Sequence, residues 1–430
     1  MRDLLFLVHR LPYPPNKGDK IRSWHMLQYL SRHFRVHLGC FVDDEADWQY
    51  ARRVADLCAS TRFIDLRALP ARWRALQALL ARQSMSVQYY RDERLLEWVA
   101  GVLSTGRVRH ALAFSGPMAQ YLDGGAAAGQ ALHRVIDFVD VDSDKWRQYG
   151  DSKPWPVSLL YRREAQLLQQ YERHIAQQFA AASFVSLAEA SLFRLCAPLA
   201  RRKTHYVNNG VDTGYFAPGA CPPPPYPSGA QVLVFTGAMD YWPNVDAMQW
   251  FVRSVWPALR RQFPQLALYI VGSRPVARVR ALARVAGVTV TGTVDDIRPY
   301  LQGAALAVAP LRIARGVQNK VLEAMAMGKI VLASPQALEG IAAQPGLELL
   351  LARDEAEFIH HAARVLRAGT GAGTPGEAMG AAARQFVVQD YNWERNLQAL
   401  GAMLQVAAQA HPATLPAIAP AALPLPEPLP

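Results

Sequence analysis

Residues 312–328 read R-I-A-R-G-V-Q-N-K-V-L-E-A-M-A-M-G. The apolar run Ala304–Pro310 leads into them with the composition of a buried strand. Gly316 then breaks the chain, and from Val317 to Met327 the residues are helix formers without Pro or Gly. The pattern is strand, cationic loop and helix start. Arg312, Arg315 and Lys320 place three cations in nine residues with no acid among them. A helix N-terminus already carries partial positive charge and unpaired N–H groups, so cations gathered there repel unless an anion joins them. Phosphate is the usual anion at such a place. Glu323 stands among Val321, Leu322, Ala324, Met325 and Ala326, three residues after Lys320 and on its helix face. A carboxylate on so apolar a helix needs partners, and ligand hydroxyls are suitable ones. The plainer alternative makes Lys320 and Glu323 a surface ion pair beside a solvated loop.

The surrounding wording separates the two. K-V-L-E-A-M-A-M-G-K-I-V-L-A-S, followed by L-E-G-I at 338–341, resembles the nucleotide-sugar site of GT-B glycosyltransferases of family 4, the group 1 enzymes. That resemblance implies an α/β fold of two doubly wound Rossmann-like domains facing across a cleft. It implies a ribose contact for Glu323 and a diphosphate contact for Lys320. Many family members carry a further Glu separated from this one by seven residues, at the position where this chain has Arg315. The backbone N–H groups of Gly316 and Val317 are then candidates for holding the transferred sugar.

Working outward, the chain opens with an apolar run, Leu4–Val8, too short for a signal-peptide core and preceded by no basic region, so it reads as a first strand. L-P-Y-P-P-N-K-G-D-K-I-R follows at 11–22, then a helix from about Ile21 to Arg32. In doubly wound sheets ligands sit beyond the strand C-termini, and Gly18 there permits close backbone approach. This opening resembles the GT-B loop whose glycine faces the donor phosphates. Its wording is similar to that of sugar transferases from exosortase-associated exopolysaccharide clusters. His9 ends the first strand and reads as structural.

Phe34–Val42, Arg62–Leu66, His110–Ser115, Arg134–Phe138 and Phe184–Leu187 read as further strands, and 157–182 as helix. D-F-V-D-V-D-S-D-K-W after the fifth strand clusters Asp137, Asp140, Asp142 and Asp144. Such carboxylates suit metal binding or proton abstraction, but an EF-hand loop is excluded by spacing. Ser143 or Asp142 is expected to cap the next helix. Family enzymes often place a His near the acceptor in this region. None matches here, which leaves Asp140 or Asp142 as the candidate general base. T-H-Y-V-N-N-G-V-D-T-G-Y-F-A-P at 204–218 resembles the linker into the second GT-B domain, and the Pro-rich run at 222–229 reads as a stiff spacer. The expected units are therefore 1–205, binding acceptor, and 206–389, binding donor. A final helix at 390–408 crosses back to the first, and a disordered Pro/Ala-rich tail occupies 411–430.

In the second unit the turn at Gly237 resembles the first donor-domain loop, yet Met239, Asp240, Tyr241 and Trp242 stand where many relatives carry Arg and Lys. Arg312 and Arg315 are expected to make up that charge. Gly272 ends the next strand. Thr293 and Val294 resemble the segment whose backbone meets the nucleobase, and Asp296 reads as a helix cap.

Composition bounds the rest. The 430 residues are half apolar with net charge +11. The positive charge is dispersed, without a Lys/Arg block or zinc-finger spacing, which argues against nucleic acid. Leu66–Arg91 holds five arginines and no acid, a basic amphipathic stretch suited either to an anionic membrane or to an ordinary solvated helix face. Cys40, Cys58, Cys196 and Cys221 form no C-x-x-C pair, and no run is long enough to span a bilayer. The expectation is a cytoplasmic enzyme, at the inner membrane face if the basic stretch binds lipid. It would be a retaining, metal-independent glycosyltransferase without cofactor, using a nucleoside-diphosphate-sugar and a glycan or lipid-linked acceptor. The same fold also hosts nucleotide-sugar 2-epimerases and non-catalytic assembly subunits.

Overall fold

Short β-rich apolar runs, each followed by a helix, dictate parallel sheets covered on both faces. The computed structural model describes residues 1–15, 17–66, 83–127, 131–227, 229–314, 316–369 and 373–406. Most of the basic Leu66–Arg91 stretch, Arg315 and the 411–430 segment lie outside them. The first sheet comprises β1 (Arg2–Val8), β2 (Phe34–Val42), β3 (Ser60–Asp65), β4 (Val108–Phe114), β5 (His133–Val139), β6 (Ala181–Phe184) and β7 (Thr204–Tyr206). Its order is β3-β2-β1-β4-β5-β6-β7, parallel at every pairing. The second comprises β8 (Val232–Thr236), β9 (Ala267–Val271), β10 (Val288–Gly292), β11 (Leu306–Ala309), β12 (Val331–Ala333) and β13 (Leu350–Leu351). It runs β10-β9-β8-β11-β12-β13, again parallel. In each sheet the order reverses beside its first strand, at β1/β4 and β8/β11. Such reversal points open the crevices where ligands bind.

Six helices matter below: α1 (Gly18–His33), α2 (Asp142–Ser152), α3 (Val157–Gln178), α4 (Trp242–Trp250), α5 (Asn319–Ala326) and α6 (Trp393–Met403). α1 begins at Gly18, three residues before its expected start, because the side chains of its first turn find partners. Lys20 turns inward, 2% exposed, onto Asp47. Asp19 accepts from Arg10 at 3.0 Å and pairs with His9 at 3.1 Å. The expected strand at Phe184–Leu187 is instead β6, four residues ending at Phe184, and Ser186 caps the following helix by accepting from Glu189 N–H. The expected cap on α2 is also corrected. No side chain caps it, and Ser143 donates its backbone N–H and hydroxyl to the buried carboxylate of Glu172 at 3.1 and 2.5 Å.

α6 is last in sequence but packs on the first sheet's core, where Trp393, Leu397 and Leu400 join Leu4, Trp24, Leu27 and Leu30. Beside it, Arg22 is fully buried and grips Asp137 through two N–H groups at 3.1 and 2.7 Å. It also donates to Asn209 Oδ1 at 2.9 Å, and Ser183 donates to Asp137 at 2.5 Å. Removing one member of such a buried set costs about 3–5 kcal/mol. Gly210, next to Asn209, lies so close to Trp393 that a Cβ would sit 2.6 Å from the indole. The linker is thus pinned between first sheet and crossing helix. Among the described residues no helix is long and apolar enough to cross a membrane.

Candidate active site

Gly237 directly follows β8 and Gly272 directly follows β9, both with backbone angles that only glycine adopts freely, φ 150° and 158°. A Cβ on Gly272 would fall 1.6 Å from the carbonyl oxygen of Gly237. The two turns therefore lie against each other beyond β8 and β9, next to the β8/β11 crevice. α5 starts at that crevice, and no side chain caps it, so its first N–H groups are available to an anion.

Lys320 projects from the first turn of α5. Its ammonium donates to Asn244 Oδ1 at 2.5 Å and lies 4.7 Å from the ring centroid of Phe235. It is also 3.4 Å from where a Cβ on Gly237 would be. Asn244, 3% exposed on α4, donates in turn to the Ala238 carbonyl at 2.8 Å. Glu323 lies one turn along α5. Burial pushes the Lys320 ammonium down to about 7 against the opposing pull of Glu323. It pushes the Glu323 carboxyl up to about 7 despite Lys320. Each group is held away from its ordinary charge state, as in a crevice built for a polar ligand.

Arg312 leaves the same loop but is engaged elsewhere. The guanidinium binds Asp246 through two N–H groups, at 2.9 and 2.5 Å. The expectation of a cation cluster lacking acids is corrected on that point, because α4 supplies the acid. Gly316, φ 66°, closes the loop against the first domain. A Cβ there would meet Asp140 Oδ1 at 2.9 Å and Val185 at 3.7 Å. Val317 packs on Gly340, which also approaches Ser186. Thr293 is exposed and Val294 partly buried beyond β10; Asp296 accepts from Arg298 N–H at 2.9 Å from one residue before the N-cap position, which Ile297 holds without a side-chain cap. Among the described residues nothing lies within 4 Å of the Cβ position of Gly18.

Across the seam stands the first domain's contribution. Val139 ends β5 with φ 72°, a conformation β-branched residues rarely adopt, and the pairing with β6 shifts there. The following residue, Asp140, is thereby aimed at Gly316. Asp140 Oδ2 and Asp142 Oδ1 share the Lys145 ammonium at 2.7 and 3.0 Å. Those two carboxylates hold Lys145 well above its usual range, although burial opposes them. Asp140 Oδ1 is buried and, among the described residues, has no hydrogen-bond partner. Ser115, at the end of β4, also has a left-handed backbone, φ 77°. Two strained non-glycine residues at neighbouring strand ends mark the rim where sites collect. On the outer edge Arg274, φ 52°, reaches Asp44 of the first domain at 3.4 Å.

Asn244, Asp246 and Lys145 are the residues that sequence reading missed in these roles. The only local signal was W-P-N, a proline-initiated helix start with Asn in its first turn.

Two doubly wound parallel domains meeting over opposed strand ends define the fold as that of the GT-B glycosyltransferases. Residues 230–368, the second sheet with its helices, match the family model described as Glycosyl transferases group 1. No curated protein matches the chain in sequence. Among solved structures, sucrose-phosphate synthase from Thermosynechococcus elongatus superposes with a TM-score of 0.68 at 17% identity, covering 94% of this chain and 98% of that one. The Anabaena protein HepE, in complex with UDP-glucose, gives 0.62 at 14%, covering 94% and 100%. WaaG, a glycosyltransferase involved in lipopolysaccharide biosynthesis, gives 0.61 at 14%, covering 93% and 99%.

Proposed function

We propose that this protein is a glycosyltransferase that moves a sugar from a nucleoside-diphosphate-sugar to a glycan or lipid-linked acceptor. One observation carries the reading: Lys320 and Glu323 stand one turn apart at the uncapped start of α5, over the two glycine turns at Gly237 and Gly272. In this reading Lys320 and the helix N-terminus hold the diphosphate, and Glu323 accepts from the ribose hydroxyls. Gly18, Thr293, Val294, Gly316 and Val317 complete the donor contacts, and Arg312 and Arg315 strengthen the field around the phosphates.

The bond from the anomeric carbon to the diphosphate oxygen breaks, and its electron pair collects on that oxygen. Lys320 and the aligned N–H groups meet the charge as it grows, which stabilises the transition state more than the ground state. The acceptor hydroxyl oxygen bonds to the anomeric carbon and gives up its proton. Asp140 Oδ1 is the favoured receiver, because Asp140 Oδ2 and Asp142 Oδ1 are engaged by Lys145. Gly316 covers that oxygen, so an acceptor reaches it only when the seam opens. The family resemblance supports retention of anomeric configuration, chemistry without a metal, a place in exopolysaccharide assembly and a cytoplasmic setting.

The test is a thermal-shift series with UDP, GDP and their sugars on wild type and Glu323→Gln. One nucleotide should stabilise wild type by several degrees and lose most of that effect in the variant. Equal stabilisation of both proteins removes the ribose assignment.

A further inference from the structure

The turn from α2 to α3 leaves its apolar side chains in solvent. Lys153, Pro154, Trp155, Pro156, Val157, Leu159 and Leu160 are all exposed. Trp155 reaches 78%, Leu159 54%, Val157 44% and Leu160 37%. Isolated exposed apolar residues are ordinary, but a contiguous group headed by a tryptophan calls for an occupant. The tip is firmly mounted. Trp146 and Tyr161 pack at a tilt across the base of the hairpin, with ring centroids 5.1 Å apart and planes at 49°. One turn beyond Leu160, the buried Glu164 carboxylate accepts from Ser84 Oγ and from the N–H groups of Met85 and Ser86 at 2.6–2.9 Å.

We infer that this hairpin docks the protein on an anionic lipid bilayer. Three observations favour a bilayer over a protein partner. The surface is a convex tip rather than a groove. Four side chains cannot furnish the roughly 800 Å² per partner of a stable protein interface, whereas shallow insertion beneath lipid headgroups needs no more. The charge is also complementary. Residues 153–163 hold Lys153, Arg162 and Arg163 and no acid, in a chain of net charge +11, while Arg147, earlier on α2, is taken up by Asp144 at 2.6 and 2.9 Å. Asp151 pairs with Arg147 and Arg162 at 3.4 and 3.2 Å, within reach of the tip. Tryptophan and cations together are the residues that settle at the water–lipid boundary.

Position gives the contact a purpose, and this part rests on the glycosyltransferase reading. α2 runs from Asp142, beside the seam, out to the tip. Tyr149, on that helix, lies within electrostatic reach of Tyr241 on the second domain. Docking through Trp155 would turn the mouth between these tyrosines toward the membrane, where a lipid-linked acceptor resides.

The experiment is vesicle flotation of the full chain with phosphatidylcholine alone or with about a third phosphatidylglycerol, at low and high salt. Wild type should co-float with the anionic vesicles about tenfold more than with neutral ones, and less at high salt. Trp155→Ser with Leu159→Ser should lose about tenfold of that binding while melting at the wild-type temperature. Undiminished flotation of the double variant would assign lipid binding to another surface. No flotation of wild type, or a concentration-dependent dimer that the variant abolishes, would equally overturn the proposal. UDP and GDP binding measured on the same proteins separates the two readings: flotation without nucleotide binding keeps the docking surface and removes the transferase.

Discussion

Lys320 is held in place by Asn244, a residue 76 positions away, through a 2.5 Å bond from ammonium to amide oxygen. The amide's other end is anchored on the Ala238 carbonyl. Cutting this bond should leave the ammonium present but unaimed. Asn244→Ala is therefore expected to weaken nucleoside diphosphate binding by about tenfold, the worth of one charge-assisted hydrogen bond. Lys320→Ala should cost more. Arg312→Ala should cost less than either, because its guanidinium is engaged by Asp246. Isothermal titration of the three variants fixes the ranking, and a loss led by Arg312 would invert the assignment of the phosphate cation.

The depressed Lys320 sets a pH signature. With a pKa of about 7 in the free protein, Lys320 is largely neutral at about pH 8, while Glu323 is largely ionised. A bound diphosphate favours the ammonium, so binding at that pH should take up a proton. Calorimetry in two buffers of different ionisation enthalpy reads this directly. The uptake should vanish in Lys320→Ala, and affinity should fall as pH rises through the free-protein pKa.

Gly316→Ala tests the seam. The new methyl would sit 2.9 Å from Asp140 Oδ1 in a left-handed backbone position, so either the loop or the domain must shift. We expect a stability loss of about 1–2 kcal/mol. A larger radius of gyration should be seen in solution scattering, with turnover reduced more than donor affinity.

Glu172 gives a test independent of the site. Burial raises its carboxyl to about 8, although Ser143 pulls the other way. A folded-state pKa above the unfolded one means the native protein holds the extra proton between about 4.5 and 8. Stability from this group is complete below that window and is lost as pH rises through it. Melting temperature should therefore fall by several degrees across the window in wild type and stay flatter in Glu172→Gln.

Sequence reading reached the strand–helix alternation because the central parallel strands are short continuous apolar runs, Leu4–Val8 among them. It singled out Lys320 and Glu323 because charge on an apolar helix start is locally anomalous. It could not reach Asn244, Asp246 or Lys145 in their roles. Their significance comes from α4 lying beside α5 and from the strained turn at Val139, which only tertiary structure creates. Ser143 misled for the same reason: a helix-start serine normally caps, but here the buried Glu172 outcompetes the backbone.

The crossing helix dictates an order of events during synthesis. Trp393 and Leu400 pack into the core beneath strands made hundreds of residues earlier, and Arg2 donates to the Gln405 carbonyl at 2.6 Å. The N-terminal half therefore keeps part of its apolar floor uncovered until the crossing helix has been made. A protein shortened by its last forty or so residues would damage the half that was translated first.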